Sequence, residues 1–492
     1  MSLLQIPELW QSEALENLLA HVIGGDWGKV PDHQEEGYQC VACIRGSEFR
    51  NWARDSGRTA VVRKVKENSL EKRSLLPGDI LLEISGGGPD QPVGRTVLIN
   101  QSVLDQFDTP VIGTNFLRLL RPSASINQRY LNRYLEFFYS SGEVVRYQGG
   151  SNNLRNLKFK EYSQISVPIP SPAEQKVIAD KLDTLLAQVE NTKARLERIP
   201  QILKHFRQSV LAAAVSGRLT EEWRGSHDYR CLALGLEKSD EVTSCPREWQ
   251  TMTLADACNV VSGNAFKSNE FTDTGTTPAI KISNVQYGAF EKKNQQYLPG
   301  SHLQTYRKFE VLPGDLLMAL TRPITNDTLK VCRYPITEPA GLLNQRVAKF
   351  LFNNEQQKEF FELLFQSNYF KLQVYDKLSE TLQPNLSPVD LKKFLVSLPS
   401  SEEQTEIVRR VDQLFAHANH IEQQVNNALA RVNNLTQSIL AKAFRGELTE
   451  QWRNDNPELT SGENSAGALL ERIKTERAKT KPEKQRRRTT RA

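Results

Sequence analysis

Two stretches of this 492-residue sequence mix basic side chains with amide and aromatic ones, a combination suited to contact with nucleic acid. Residues 45–73 contain nine Lys and Arg against four Asp and Glu, and residues 281–346 contain nine against five. Lys and Arg bind phosphates or guanine, while Asn and Gln pair with adenine. An ordinary solvated charged surface explains either stretch equally well when each is taken alone. The candidate DNA-binding residues are Arg45, Arg63, Lys64, Lys66, Lys281, Asn284, Lys292, Arg322 and Arg346.

The residue patterns of common catalytic and metal sites do not occur in the sequence. There is no GxxxxGK[ST] phosphate loop, and the glycine-rich segment 86–94 lacks the lysine that such a loop needs. Cys40 and Cys43 form one CxxC pair, but zinc requires four ligands and no second pair follows at a suitable spacing. His417 and His420 are interpreted as solvent-facing positions on a helix. The sequence therefore predicts no catalytic residue and no metal ligand.

An internal repeat organises the chain. Residues 170–224 align with residues 399–453 at a constant offset of 229, without a gap, and about 19 of the 55 positions are identical. The anchors are PSPAEQ against PSSEEQ at the start and SGRLTEEWR against RGELTEQWR at the end. The chain is thus a tandem of two halves, each a variable region followed by a matching segment.

Both matching segments are predicted to be long helices that pair through a coiled-coil seam. Ser171 with Glu174, and Ser400 with Glu403, have the spacing of a helix N-cap and a capping box. Apolar residues then recur at alternating spacings of four and three over four to five heptads, which is typical of a coiled coil. The predicted seam residues are Ile178, Leu182, Leu185, Val189, Leu196, Leu203, Ile407, Val411, Leu414, Ile421, Val425 and Val432.

The pattern predicts an α+β chain with two mixed α/β domains separated by a pair of long antiparallel coiled-coil helices. Short β-branched runs indicate strands in both variable regions. Residues 454–492 are predicted to be a basic, disordered tail, because the seam ends there and the last residues are low in complexity. The other predicted segments are a first domain at 1–168, a first helix at 169–224, a linker at 225–247, a second domain at 248–397 and a second helix at 398–453.

Composition excludes several classes of protein. With 39% hydrophobic and 25% charged residues, the chain is not disordered as a whole. No apolar run approaches the roughly 18 residues of a membrane helix, no secretion signal is recognisable, and six scattered cysteines suit a reducing cytoplasm. The net charge of +5 is poor evidence for DNA binding, because residues 471–492 alone carry +7 and the remainder about −2. The local basic clusters are the better evidence.

These motifs resemble the specificity subunit of type I restriction–modification enzymes. The segment from PSPAEQ to LTEEWR is similar to the central conserved helix of that family, and the segment from PSSEEQ to LTEQWR to its distal conserved helix. NLKFKEYSQISVPIP, from Asn156, and NLSPVDLKKFLVSLP, from Asn385, resemble the ends of its target-recognition domains. The resemblance covers nearly the whole chain.

The resemblance implies a non-catalytic, sequence-specific DNA-binding subunit of a bacterial or archaeal cytoplasm, with no membrane partner. Each target-recognition domain would read one half of a split, asymmetric sequence in double-stranded DNA. The helices would set the unread gap and dock two modification subunits, which use S-adenosylmethionine to methylate adenine. Two restriction subunits would add translocation and cleavage driven by ATP with magnesium, so no cofactor is expected in this chain. The residues alone leave open a stand-alone bipartite DNA-binding coiled-coil scaffold without a methyltransferase partner.

Overall fold

The chain forms two compact units in the computed structural model, which describes residues 5–88, 91–150, 155–237 and 242–480. Unit 1 consists of Met1–Leu196 together with Ala428–Ala492, and unit 2 of Glu197–Asn427. Unit 1 is therefore built from two separate parts of the sequence, whereas unit 2 is one continuous stretch.

The α+β domain of unit 1 precedes the first long helix. Its helices are α1 (Trp52–Asp55), α2 (Glu67–Arg73), α3 (Gln101–Leu104), α4 (Gln128–Ser140) and α5 (Phe159–Tyr162). Its strands are β1 (Gln11–Ala14), β2 (Leu19–Gly24), β3 (Tyr38–Ile44), β4 (Val61–Lys66), β5 (Ile80–Glu83), β6 (Ser85–Gly87), β7 (Thr96–Leu98), β8 (Val111–Gly113), β9 (Leu117–Pro122), β10 (Gln148–Gly149), β11 (Arg155–Leu157) and β12 (Ser166–Ile169).

Two sheets form the core of this domain. Strands β2, β9, β5 and β7 make an antiparallel sheet in that order, and β4, β3 and β8 make a second sheet in which β3 and β8 are parallel. The apolar face of α4, with Tyr130 and Leu135, is buried in the same core as Ile80 and Leu120. Strand β1 pairs with β12, so the start and the end of the domain lie side by side next to the long helix.

Unit 2 contains the second domain. Its helices are α8 (Leu254–Ala257), α9 (His302–Thr305), α10 (Glu355–Gln366), α11 (Asn368–Asp376) and α12 (Pro388–Lys392), and it is preceded by α6 (Pro172–Val215) and α7 (Glu221–Arg224). Its strands are β13 (Tyr229–Ala233), β14 (Val242–Pro246), β15 (Gln250–Thr253), β16 (Asn259–Ser262), β17 (Thr277–Ile280), β18 (Gln296–Leu298), β19 (Glu310–Val311), β20 (Leu316–Ala319), β21 (Ile324–Thr325), β22 (Thr328–Leu329), β23 (Val331–Arg333), β24 (Gly341–Leu343), β25 (Val347–Leu351) and β26 (Leu395–Leu398). The chain continues through α13 (Ser401–Phe444), α14 (Glu450–Asp455) and α15 (Ala466–Thr480).

The second domain repeats the strand plan of the first. The sheet β16-β25-β20-β23 corresponds to β2-β9-β5-β7, and the parallel pair β17 and β24 corresponds to β3 and β8. Strands β15 and β26 close the domain as β1 and β12 do. The predicted fold class, two mixed α/β domains with a pair of long helices, is confirmed.

The two long helices pair antiparallel within each unit. In unit 1, Lys181 Nζ of α6 donates to the Leu448 carbonyl just beyond α13, at 3.1 Å. In unit 2, Arg207 of α6 forms an ion pair with Glu422 of α13 at 2.7 Å. Of the predicted seam residues, Leu185, Leu196, Leu414 and Ile421 are half-buried. The others are buried: Ile178, Leu182, Val189, Leu203, Ile407, Val411, Val425 and Val432.

Both helices begin with half of the predicted capping box. Ser171 Oγ accepts from the Glu174 N–H, and Ser400 Oγ from the Glu403 N–H, each at 3.2 Å. The glutamate side chains do not complete the box. Both carboxylates instead accept hydrogen bonds from the opposite copy of the repeat, in what we term the carboxylate clusters of the two units.

The carboxylate cluster of unit 1 consists of Trp10, Glu174, Thr449 and Arg453. Glu174 accepts from Trp10 Nε1 at 2.9 Å, from Thr449 Oγ1 at 2.7 Å and from Arg453 Nε at 3.0 Å. Arg453 also donates to the carbonyl of Gly446 at 2.6 Å, and Gly446 has a φ of 75°. A Cβ on Gly446 would lie 2.3 Å from the Pro7 ring, so glycine is needed to bring this turn against the helix start.

The carboxylate cluster of unit 2 consists of Trp249, Glu403, Thr220 and Arg224, with matching geometry. Glu403 accepts from Trp249 Nε1 at 3.0 Å, from Thr220 Oγ1 at 2.7 Å and from Arg224 Nη1 at 2.6 Å. Both glutamates and both arginines are buried, so each charge is compensated where water is excluded. Each repeat therefore ends by packing against the first helical turn of the other repeat.

The segment that was predicted to be a disordered tail is folded over most of its length. Helix α15 places Ala466, Leu469, Leu470 and Ile473 in the core of unit 1. Its Glu476 accepts from Ser123 Oγ and from Ser125 Oγ, the latter at 2.5 Å. The prediction of disorder is wrong for 454–480, because the apolar spacing of α15 supplies a buried face that compensates for the entropy of ordering it. Residues 481–492 lie outside the described part of the chain.

Candidate nucleic-acid interface

One edge of each domain brings together the ends of several strands. In unit 1, the Thr114 N–H donates to the carbonyl of Ile44 at the end of β3, and the Ile84 N–H after β5 donates to the Phe116 carbonyl, both at 2.9 Å. In unit 2, the Asn344 N–H donates to the Ile280 carbonyl at 3.0 Å and the Leu320 N–H to the Arg346 carbonyl at 2.8 Å. The two edges are thus built by the same backbone contacts. We term them the strand-end surfaces.

A glycine makes each strand-end surface compact. A Cβ on Gly25 would lie 2.1 Å from the Thr114 carbonyl oxygen, and one on Gly263 would lie 2.2 Å from the Asn344 carbonyl oxygen. Because these neighbours are backbone atoms, no larger residue fits without moving a strand. The segment after β2 or β16 is therefore held against the loop that precedes β9 or β25.

The strand-end surface of unit 1 surrounds a cavity of about 620 Å³. Trp27 and Phe116 line it and remain exposed, and Arg45, Arg50 and Asn115 stand beside them. A neighbouring cavity of about 410 Å³ shares Trp27 and Asn115 and adds Lys29, Lys66 and Asn68. Exposed aromatic rings beside cations and amides suit contacts with bases and phosphates.

Buried carboxylates neutralise part of the positive charge at this surface. Glu48 pairs with Arg45 at 2.5 Å, and this hydrogen bond raises the pKa of the Arg45 guanidinium. Glu83 pairs with Arg95 at 2.5 Å, where both side chains are largely buried. Arg50 is exposed and has no ion pair among the described residues. It is therefore a cation that remains available to a phosphate.

The three candidates on β4, Arg63, Lys64 and Lys66, lie at or near the neighbouring cavity that contains Lys29. The Arg63 guanidinium stacks over Trp27 at 4.3 Å and donates to the Trp27 carbonyl at 2.9 Å. Lys64 Nζ donates to the His33 carbonyl at 2.6 Å, so its ammonium holds a neighbouring loop. Lys66 is exposed, with its ammonium 5.6 Å from the Tyr38 ring centre. Lys66 is the one of the three that is free to bind an anion without losing a hydrogen bond to the chain.

The strand-end surface of unit 2 carries Arg322, Gln345 and Arg346, all exposed. Arg346 occupies the place that Phe116 takes in unit 1, since both carbonyls accept from the residue after the central strand. Arg322 has a φ of 47° in the turn after β20. In the described part of the chain neither arginine side chain has a hydrogen-bond or ion-pair partner. Both guanidiniums can therefore bind phosphate or guanine at no internal cost.

The remaining candidates of unit 2 are engaged within the domain. Lys281 follows β17 as Arg45 follows β3; its ammonium contacts Gln296 and lies 3.7 Å from the Phe271 ring centre, and burial lowers its pKa. Lys292 pairs with Glu338 at 2.5 Å. Asn284 is 1% exposed; it accepts from the Lys281 N–H at 2.9 Å and donates to the Glu291 carbonyl at 2.8 Å. Asn284 is a turn residue and presents no amide to a ligand, which corrects its place among the candidates.

The described residues contain no cluster of three or more His, Cys, Asp or Glu side chains that could hold a metal ion. Cys40 is exposed and Cys43 is buried on the opposite face of β3, where burial raises the pKa of its thiol to about 12. His420 Nε2 accepts a hydrogen bond from Gln424 Nε2 at 2.9 Å on the exposed face of α13. Over the same residues, no helix combines the length and hydrophobicity required to span a membrane.

Several residues of the strand-end surfaces were not among the sequence candidates: Trp27, Arg50, Asn115, Phe116 and Gln345. The sequence does contain a signal for Asn115, Phe116 and Gln345. The segments that begin at Thr114 (TNFLRLL) and at Asn344 (NQRVAKF) have the same pattern. In each, a short polar turn follows a buried strand and precedes a strand of alternating hydrophobicity. Aligning those two turns pairs Asn115 with Gln345 and Phe116 with Arg346.

Comparisons with known proteins agree with this architecture. Residues 43–201 and 246–431 match the family described as type I restriction modification DNA specificity domain. The chain is 35% identical to the EcoKI specificity subunit of Escherichia coli K12 over 97% of both chains, and 33% identical to the StySPI specificity subunit of Salmonella potsdam over 96% of both. The solved HsdS subunit from Thermoanaerobacter tengcongensis has a TM-score of 0.56 at 15% identity, covering 90% of this chain and 98% of that one. A chain of a solved type I R-M system has a TM-score of 0.61 at 14% identity, covering 90% and 99%.

The doubled α+β domain with two long helices is the fold shared with the solved HsdS subunit. The matches cover well over half of the chain at substantial identity. The chain belongs to the family of type I restriction enzyme specificity subunits, with target-recognition domains that act in DNA sequence recognition.

Proposed function

We propose that each unit reads one half of a bipartite, asymmetric sequence in double-stranded DNA through its strand-end surface. The observation that carries this proposal is that one backbone framework presents two different side-chain sets at equivalent places. Phe116 in unit 1 and Arg346 in unit 2 are the clearest pair. An aromatic ring and a guanidinium recognise different base edges, so two such surfaces would select two different half-sites.

The two long helices set the length of the unread gap and dock two modification subunits. Each helix has 44 residues, which corresponds to about 66 Å at 1.5 Å per residue. The buried seam supports a stiff pair, and the many exposed polar residues outside the seam leave surface for a partner. A stiff spacer fixes a distance better than a flexible linker does.

The chemistry of the complex belongs to partner subunits. S-adenosylmethionine is bound by the two modification subunits, and ATP and magnesium by two restriction subunits, while this non-catalytic chain supplies recognition in the cytoplasm. The relatives support the recognition role of this chain, because each is named as the specificity subunit of a type I restriction enzyme.

Exchanging the first domain tests the assignment of half-sites. Residues 1–168 are replaced by the matching region of a relative, and methylated adenines are mapped in DNA exposed to the assembled complex. One half of the recognised sequence is expected to change, while the other half and the gap remain. A change in both halves would contradict modular reading. Specific DNA binding by the chain without any modification subunit would favour the stand-alone scaffold.

Lengthening the helices tests the spacer. One heptad is inserted into α6 and one into α13 at matched seam positions, which keeps the seam in register. The tolerated gap is expected to widen while both half-sites stay the same. An unchanged gap with retained methylation would remove the spacer role from the helices.

A further inference from the structure

The loop after α11 presents a fully exposed leucine. Leu382 is 99% exposed, more than any other large hydrophobic residue in the described part of the chain. Single exposed apolar residues are common on protein surfaces and need no explanation by themselves. This one differs because the loop that carries it is braced and because unpaired cations stand beside it.

Hydrogen bonds on both sides hold the loop in one shape. Thr381 Oγ1 donates to the Gln383 carbonyl at 2.8 Å, and Asn385 Nδ2 donates to the same oxygen at 2.9 Å. The Asn385 N–H donates to Ser379 Oγ at 3.0 Å, which closes the loop across its base. Leu382 therefore lies at the apex of a structured turn, and little conformational entropy remains to be lost when it meets a partner.

The loop is attached to the strand-end surface of unit 2. The Arg322 N–H donates to the Pro384 carbonyl at 2.7 Å, and Thr321 Oγ1 donates to Asn385 Oδ1 at 2.6 Å. The Leu320 N–H donates to the Arg346 carbonyl, so Leu382 stands near two exposed arginines whose side chains have no partner in the described chain. An apolar tip on a surface with free cations matches a ligand that presents apolar groups beside phosphates.

We propose that Leu382 contacts the 5-methyl group of a thymine in the half-site that unit 2 reads. The inference rests on the proposed function and adds the base that this loop selects. Thymine is suited to the role because its methyl is the apolar group that base pairs present in the major groove, and apolar side chains recognise it. Arg322 holds a flanking phosphate and so brings the loop to the base edge.

The test replaces thymine by uracil, which removes the methyl and leaves base pairing intact. The full chain, assembled with its modification subunit, is bound to a duplex carrying the methylation-mapped site, with one thymine of the second half-site changed at a time. At one position the wild type is expected to lose roughly fourfold in affinity, the factor that burial of one methyl group gives. Leu382→Ala is expected to bind the thymine and uracil duplexes equally at that position.

Ile336→Ala provides the matched control. Ile336 is 84% exposed in the same unit. It follows Tyr334, whose carbonyl accepts from the N–H of Gly314, two residues before β20 begins and so at the end of that strand remote from Leu320. This variant is expected to keep the wild-type preference for thymine. Circular dichroism of both variants should match the wild type, because neither side chain is packed.

Three outcomes would overturn the proposal. They are a second half-site without thymine, a wild type that is insensitive to uracil at every position, and a Leu382→Ala variant that still prefers thymine. A uniform loss of affinity with reduced DNA bending would instead assign Leu382 as a wedge between base steps. Failure of the proposed function is distinguishable from these, because the domain exchange would then alter both half-sites or neither.

Discussion

The two units share a framework and differ in the side chains they place on it. Each has the same strand order in its antiparallel sheet, β2-β9-β5-β7 or β16-β25-β20-β23. Each also has a glycine at the same place behind its strand-end surface and the same four residue types in its carboxylate cluster. The strand-end surface of unit 1 is a cavity with exposed aromatic rings, whereas that of unit 2 has protruding arginines and an apolar tip. Loops beyond the strand ends carry little of the core, so they can vary without loss of the fold.

The units also differ in the segment behind the shared LTExWR motif. After Arg224 the chain forms the hairpin β13–β14 within unit 2, and after Arg453 it forms α15, which is buried against unit 1. The repeated motif therefore fixes the helix junction, while the chain beyond it is free to take another structure.

Substitutions in the carboxylate clusters should give the largest loss of stability, and the loss should be equal in the two units. Glu174→Ala and Glu403→Ala each leave a buried arginine without its counter-charge, so each is expected to destabilise its unit by about 3–5 kcal/mol. Chemical denaturation followed by tryptophan fluorescence measures this. Glu402→Ala, at the exposed neighbouring position in the first turn of α13, should cost only a little stability, well below the two cluster variants. Clearly unequal losses would break the equivalence of the two clusters.

A substitution in the buried face of α15 should lower the stability of unit 1 and leave that of unit 2 unchanged. Leu469 is fully buried in unit 1, so Leu469→Ala is expected to destabilise unit 1 by about 3 kcal/mol, through lost burial and the cavity left behind. Hydrogen exchange measured along the chain should report weaker protection in unit 1 alone. Arg472→Ala on the exposed face of the same helix serves as the control, and an equal response of unit 2 would refute the distinction.

Substitutions at the equivalent strand-end positions should act on opposite half-sites. Phe116→Ala and Arg346→Ala are each expected to cost about 1–3 kcal/mol of DNA binding and to relax the sequence requirement in one half only. Methylation mapping with the assembled complex identifies the half that changes. Arg346→Lys keeps the charge but loses the planar guanidinium, so it should retain phosphate-type affinity while still relaxing selection. If both alanine variants relax the same half, the surfaces do not read separate half-sites.

Deletion of the terminal basic segment should have the smallest effect on DNA binding. Residues 481–492 carry six Lys and Arg against one Glu, so their deletion removes a non-specific attraction to phosphates. The dependence of DNA affinity on salt should become shallower, with the methylated sequence unchanged. An altered target sequence would contradict a purely electrostatic role.

The sequence was sufficient for the repeat, the long helices and the fold class, because identical residues at a constant offset mark them directly. It did not predict the carboxylate clusters. The spacing predicts Glu174 and Glu403 as capping-box residues only. Their tryptophan partners, Trp10 and Trp249, are 239 residues apart and lie outside the aligned repeat. Contacts between residues so distant in sequence leave no local pattern.

Two other predictions, for Asn284 and for α15, differ from the structure for other physical reasons. Counting charges cannot tell a buried turn residue such as Asn284 from an exposed one such as Gln345, because both stand in polar surroundings. The helix α15 did leave a signal, since Ala466, Leu469, Leu470 and Ile473 have the i, i+3, i+4, i+7 spacing of a buried helical face. The basic composition of the residues after it obscured that signal.

The discontinuity of unit 1 dictates an order of assembly on the ribosome. Thr449 and Arg453 complete the carboxylate cluster of unit 1, and Leu469 completes its hydrophobic core. All three are synthesised only after the whole of unit 2, Glu197–Asn427. At about 5–20 residues per second, the nascent first domain waits roughly 10 to 50 s for them. The domain made second is therefore the first that can be completed, and the N-terminal domain is the one that needs protection from aggregation during synthesis.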